Sequence, residues 1–159
     1  MAAPKRPSRK RVTSSSRVSA PSSMPVAHEP RVEPGCPVVG LGASAGGLEA
    51  LEVFFSHLPP NPGIAFIIVS HIDPHATSYL PELLGRTTPL PVREAIDGRR
   101  LEPNEVVVTP PGKALTIGQG IVHLRNIVIP HVVPLPIDTL FRSLADDQEE
   151  KSIGIVLSG

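Results

Sequence analysis

The stretch VVGLGASAGGLEALEVFFSHLPPNPGIAFIIVSH, residues 38–71, changes its hydrophobic period twice, and those changes decide the fold. With Pro37 in front, its opening PVVGL (37–41) reads as a buried strand. GGLEALEVFFSHL (46–58) then sets Leu48, Leu51, Phe54, Phe55 and Leu58 at helical spacing, and Pro59 and Pro60 end the helix. GIAFIIVSH (63–71) is a continuous apolar run between turn residues, the pattern of a parallel strand covered on both faces. Strand, helix and strand in this order make a β-α-β unit.

Working outward, the chain predicts a helix over Ser78 to Arg86 and short strands at PVREA (91–95), EVVVTP (105–110), ALTI (114–117) and IVHL (121–124). Gly118 and Gly120 mark a turn between the last two, and the close spacing suggests an antiparallel excursion. PIDTLFRSLADD (136–147) starts on a proline and puts Ile137, Leu140, Phe141 and Leu144 on one helical face. SIGIVLSG (152–159) repeats the buried-strand pattern. The alternating order predicts an α/β fold: an open, doubly wound, mostly parallel sheet in three Rossmann-like layers. In such sheets ligands bind beyond the carboxyl ends of the strands. Ser44 and His71 both fall there, on strands that a β-α-β unit makes neighbours.

Before about residue 35 the sequence is rich in Ser, Pro, Arg and Lys without apolar periodicity. Such a segment buries too little surface to offset chain entropy, so residues 1–34 are expected to be a disordered basic tail and 35–159 the folded domain. The tail is also poor in acids, as transit peptides are, but its prolines oppose an amphipathic helix. From Val32 onward eight Lys and Arg face fourteen Asp and Glu, a net of −6, which argues against a nucleic-acid partner. No apolar run reaches the roughly 20 residues of a membrane span. Cys36 is the single cysteine, which fits a reducing, cytoplasmic location.

Three chemistries compete for Ser44. The stretch GLGASA satisfies the dinucleotide fingerprint G-x-G-x-x-G/A with Gly40, Gly42 and Ala45. That fingerprint wants an acid at the end of the next strand, where Ser70 and His71 stand instead. A nucleophile reading uses the small neighbours of Ser44 to make a sharp strand-to-helix turn that projects its hydroxyl, with the N–H groups of Ala45 and Gly46 free to bind an oxyanion. In the third, Ser44 only satisfies donors at the helix start. HIDPH (71–75) invites a metal reading through His71, Asp73 and His75, but no further cluster completes a shell; neither a metal nor a cofactor is expected. His57 falls where it would serve the helix C-terminus, and His123 and His131 receive no chemistry.

VVGLGASAGGLEALEVFFSHLP, IIVSHIDP, YLPELLGRTTPLPVREAIDGRRLEPNEVVVTPPG, LPIDTLFRSLADD and SIGIVLSG, in this order, closely resemble the catalytic domain of the chemotaxis protein-glutamate methylesterases, the CheB type. The resemblance implies a serine hydrolase in which Ser44 attacks the methyl ester of a receptor glutamate and His71 is its base. It also implies deamidation of receptor glutamines, no cofactor, and the cytoplasmic region of a methylated chemoreceptor as partner. The family's aspartate belongs in a turn just after a strand like IGIVLSG, and no acid occupies it here. The sequence therefore reads as a domain without its last strands, expected to be inactive by itself or to act as a module that binds receptor tails. Ser70 stands where the family usually has glutamine, and Ala45 where many members have threonine. With no receiver domain between the tail and Cys36, the arrangement resembles methylesterase-methyltransferase fusions, whose methyltransferase half would lie downstream.

Overall fold

The computed structural model describes residues 35–44, 46–70, 77–127 and 135–157. The expected tail, residues 1–34, lies outside them. Strand β1 (Val38–Ala43) is buried along its whole length, and helix α1 (Leu48–Ser56) carries the chain to β2 (Ala65–Ser70). The two strands pair in parallel from Val38 opposite Ala65 to Ala43 opposite Ser70, so the predicted β-α-β unit is present. α1 is shorter than its apolar periodicity because Gly46 and Gly47 form the entry turn. It ends where the His57 ring Nδ1 lies 2.7 Å from the Val53 carbonyl, so His57 serves the helix C-terminus as expected.

Helix α2 (Leu80–Leu84) has Pro81 in its first turn and leads to β3 (Val92–Glu94) and β4 (Val106–Val108). The hairpin β5 (Lys113–Gly118) and β6 (Ile121–Asn126), helix α3 (Pro136–Gln148) and strand β7 (Ser152–Val156) follow. The main sheet runs β3-β4-β2-β1-β7, and every pairing in it is parallel. The antiparallel excursion is confined to β5 and β6; β3 and β4 belong to the parallel sheet. Short, half-buried β3 gave no period from which its direction could be read. The hairpin turns through Gln119 and Gly120, with φ of 53° and 70°, the mirror-image turn whose twist suits a two-residue hairpin.

Two apolar clusters sandwich the sheet. On one face Leu51 and Phe55 of α1 and Leu84 of α2 meet Leu41, Phe66 and Ile68. The rings of Phe54, Phe55 and Phe66 pack edge to face there, with centroids 5.2–6.1 Å apart. On the other face Leu140 and Leu144 of α3 and Leu115 of the hairpin cover Val38, Ile67 and Val107. α3 anchors the hairpin through Ser143 Oγ, which accepts from Ile117 N at 3.0 Å, and the Asp147 carboxylate, which accepts from the turn amides of Gln119 and Gly120. β7 departs from the buried-strand expectation: Ile153 and Val156 are 50% and 69% exposed at the sheet edge.

Candidate active site

Alternation along β1 decides what its glycines do. Val39, Leu41 and Ala43 face α1, whereas Gly40 and Gly42 face α3. A Cβ on Gly40 would come within 2.6 Å of Leu144 Cδ1, and one on Gly42 within 2.7 Å of Ile137 Cγ2. Both glycines of the G-x-G pattern therefore admit the helix behind the sheet, which accounts for them without a dinucleotide. Gly47 has a separate duty in the turn. Its amide donates to the Ser44 carbonyl at 2.9 Å, and a Cβ there would lie 2.8 Å from Ala43 Cβ. The chain leaving β1 thus doubles back tightly over Ala43.

This turn sets Ser44 at the carboxyl end of β1, half-buried, with Oγ accepting a long 3.4 Å hydrogen bond from the Gly46 amide. A hydroxyl held so lightly is free to reorient. Gly46 is exposed, and among the described residues nothing stands within 4 Å of where its Cβ would be. Ala45 and His71 lie outside the described residues, as do Asp73 and His75 of the metal reading and His131; His123 is exposed on β6. No group of three His, Cys, Asp or Glu side chains suited to a metal occurs among the described residues.

Beside Ser44 opens a cavity of about 250 Å³. Ala43, Leu48 and Leu51 form one side and Tyr79, Leu80 and Leu83 the other, with hydroxyls from Ser44, Ser70, Thr77 and Ser78. No charged side chain is among these described lining residues. The volume lies below the roughly 300–1,000 Å³ of pockets for drug-sized ligands, a scale suited to one substrate side chain. Ser70 reaches the cavity because its Cα pairs with that of Ala43, next to Ser44. The sequence pointed to the strand ends but not to Ser70, Thr77, Ser78 or Tyr79 as cavity residues. The one local signal was a hydroxyl closing the apolar run AFIIVS.

Cys36 sits at the opposite end of β1. Burial pushes its thiol above the ordinary value, opposed in part by a backbone hydrogen bond with Ala65. It takes no part in the site.

The sequence profile described as CheB methylesterase matches residues 39–159. A protein-glutamate methylesterase/protein-glutamine glutaminase of Saccharophagus degradans is 35% identical over 150 residues, covering 92% of this chain and 41% of the relative. One from Anaeromyxobacter dehalogenans is 32% identical over 122 residues, covering 77% of this chain and 36% of the relative. The chain therefore spans about two fifths or less of the length of these curated relatives. Among solved structures, the Thermotoga maritima CheB methylesterase catalytic domain aligns with a TM-score of 0.66 at 29% identity, over 78% of this chain and 68% of that one. With the profile covering most of the chain and the Saccharophagus degradans relative 35% identical over 92% of it, the chain belongs to the CheB methylesterase family.

Proposed function

We propose that this chain carries the catalytic serine region of a protein-glutamate methylesterase that also deamidates glutamine, acting on the cytoplasmic region of a chemoreceptor. The observation that carries the reading is the place of Ser44, at the carboxyl end of an interior parallel strand and on the wall of a cavity sized for one side chain, with no charged residue among its described lining. Family membership and the names of the relatives supply the substrate class.

In this mechanism Ser44 Oγ attacks the side-chain carbonyl carbon while His71 takes the hydroxyl proton. The amides of Ala45 and Gly46 donate to the developing oxyanion. The carbon–oxygen bond to the methoxy group then breaks, and His71 returns the proton so that methanol leaves. Water, deprotonated by His71, attacks the acyl-enzyme; Ser44 recovers its proton and the glutamate carboxylate is released. With glutamine the same steps expel ammonia.

A carboxylate behind the imidazole would fix its tautomer, and no acid follows β7 within these 159 residues. In the serine-protease template, loss of the correct tautomer lowers turnover by about 10⁴. We therefore expect the 159-residue polypeptide alone to hydrolyse methyl esters very slowly, while retaining a reactive Ser44.

A fluorophosphonate probe with mass-spectrometric mapping tests the reading. Labelling is expected on Ser44, abolished by Ser44→Ala and slowed by His71→Ala. Absence of labelling, with receptor peptides still bound, would leave a binding module. Absence of both would reject the assignment.

A further inference from the structure

Ser70 Oγ is shielded from solvent and has no hydrogen-bond partner among the described residues. Other shielded hydroxyls find partners: Ser143 Oγ donates to the Leu140 carbonyl at 2.9 Å, and Thr88 Oγ1 accepts from Leu90 N at 3.3 Å. Buried polar atoms without partners are few in native proteins, and each calls for a cause. Two further such atoms, Arg93 Nη1 and Thr109 Oγ1, belong to residues away from the cavity lining; Ser70 lies on it. Its position follows from the pleat, since Ser70 continues the row of Phe66 and Ile68 on the α1 and α2 face. The hydroxyl is thus a polar point set among Leu48, Leu51, Leu80 and Leu83, one strand over from Ser44.

We propose that Ser70 is a substrate-contacting, specificity-determining residue, whose hydroxyl hydrogen-bonds the uncharged ester or primary amide presented to Ser44 and whose apolar surroundings reject the free carboxylate. A hydroxyl suits both substrates, because it donates to an ester oxygen and accepts from an amide N–H. A carboxylate in the same place exchanges its hydration shell for neutral hydroxyl groups, with no cation among the described lining residues. The neutral substrate therefore binds and the charged product leaves. The inference rests on Ser44 being the nucleophile.

The test uses the full chain carrying Ser44→Ala, so that turnover is blocked, titrated by NMR with N-acetylglutamate γ-methyl ester N-methylamide and with the corresponding free acid. The ester is expected to bind about tenfold or more tighter than the acid, and adding Ser70→Ala to weaken ester binding by about three- to tenfold, the worth of one neutral hydrogen bond. Ser70→Thr, which keeps a hydroxyl, is expected to retain most of the affinity. Ser70→Ala should leave the melting temperature of the free chain unchanged or raised, because it removes an unpartnered buried hydroxyl. A purely structural Ser70 would lower it. Ester affinity untouched by Ser70→Ala, a lowered melting temperature, or equal affinity for ester and acid would each overturn the proposal. Fluorophosphonate labelling of Ser44 in the otherwise unaltered chain separates the two failures. Labelling without any effect of Ser70→Ala sinks the role of Ser70 alone; no labelling and no ester binding sinks the nucleophile with it.

Discussion

A single methyl group on Gly42 would collide with Ile137 Cγ2 at 2.7 Å, whereas one on Gly46, three residues beyond the end of β1, meets nothing within 4 Å among the described residues. The γ-methyl of a β-branched residue cannot swing aside as a leucine tip can. Gly42→Ala is accordingly expected to lower unfolding free energy by about 1–3 kcal/mol, the range for overpacking, and Gly46→Ala to stay within about 0.5 kcal/mol of the parent. Urea denaturation of both variants checks this, and equal midpoints would contradict the packing role given to Gly42. At Cys36 the raised thiol pKa has a definite sign in stability. The neutral thiol is favoured by folding, so its contribution is complete below the unfolded value of 9.0 and is lost as pH climbs through the higher folded value. The parent should therefore lose stability relative to Cys36→Ala between about pH 8 and pH 10, and a gap that stays constant over that range would refute it.

At the scale of elements, β3 and β4 are short, and a buried ion pair reinforces their parallel pairing. Glu105 accepts from Arg93 Nε at 2.9 Å and Nη2 at 2.6 Å, and from the Glu102 amide at 2.8 Å, with its side chain only 5% exposed. Removing one partner of such a pair leaves a shielded charge behind. Glu105→Ala is expected to destabilise by about 3–5 kcal/mol, with thermal melting as the readout. A loss below about 1 kcal/mol, the scale of a surface pair, would show that water reaches Arg93. Nothing in the sequence marked Glu105, because a lone acid before VVVTP looks like any strand-flanking charge. Elements with a sustained period were legible: β1, α1, β2 and α3 lie where their apolar spacing puts them. β3 and β4, three residues each, are too short to carry a direction. The candidate site was legible at Ser44, where turn chemistry is local, and not at its cavity walls. Leu48, Leu80 and Leu83 meet only because α1 and α2 cover the same sheet face.

For the molecule as a whole, the sheet protects its edges unequally. At one end the half-buried Arg93 of β3 turns its guanidinium onto Glu105, and charged Glu94 closes the strand, a composition that discourages further pairing. At the other end β7 pairs with β1 and, among the described residues, with no other strand. Its composition, SIGIV, holds no charge and no proline, and Ile153 and Val156 stand 50% and 69% exposed beside it. An uncharged apolar strand edge is a template for a second chain, and nothing in β7 blunts it. The 159-residue polypeptide in isolation is therefore expected to self-associate through β7, its sedimentation coefficient rising with concentration. Ile153→Lys places a charge on that edge without entering either apolar cluster, since Ile153 belongs to neither. The variant should sediment as a monomer over the concentrations at which the parent associates. A parent that stays monomeric throughout, or an Ile153→Lys chain that associates equally, would place the sticky surface elsewhere or remove it.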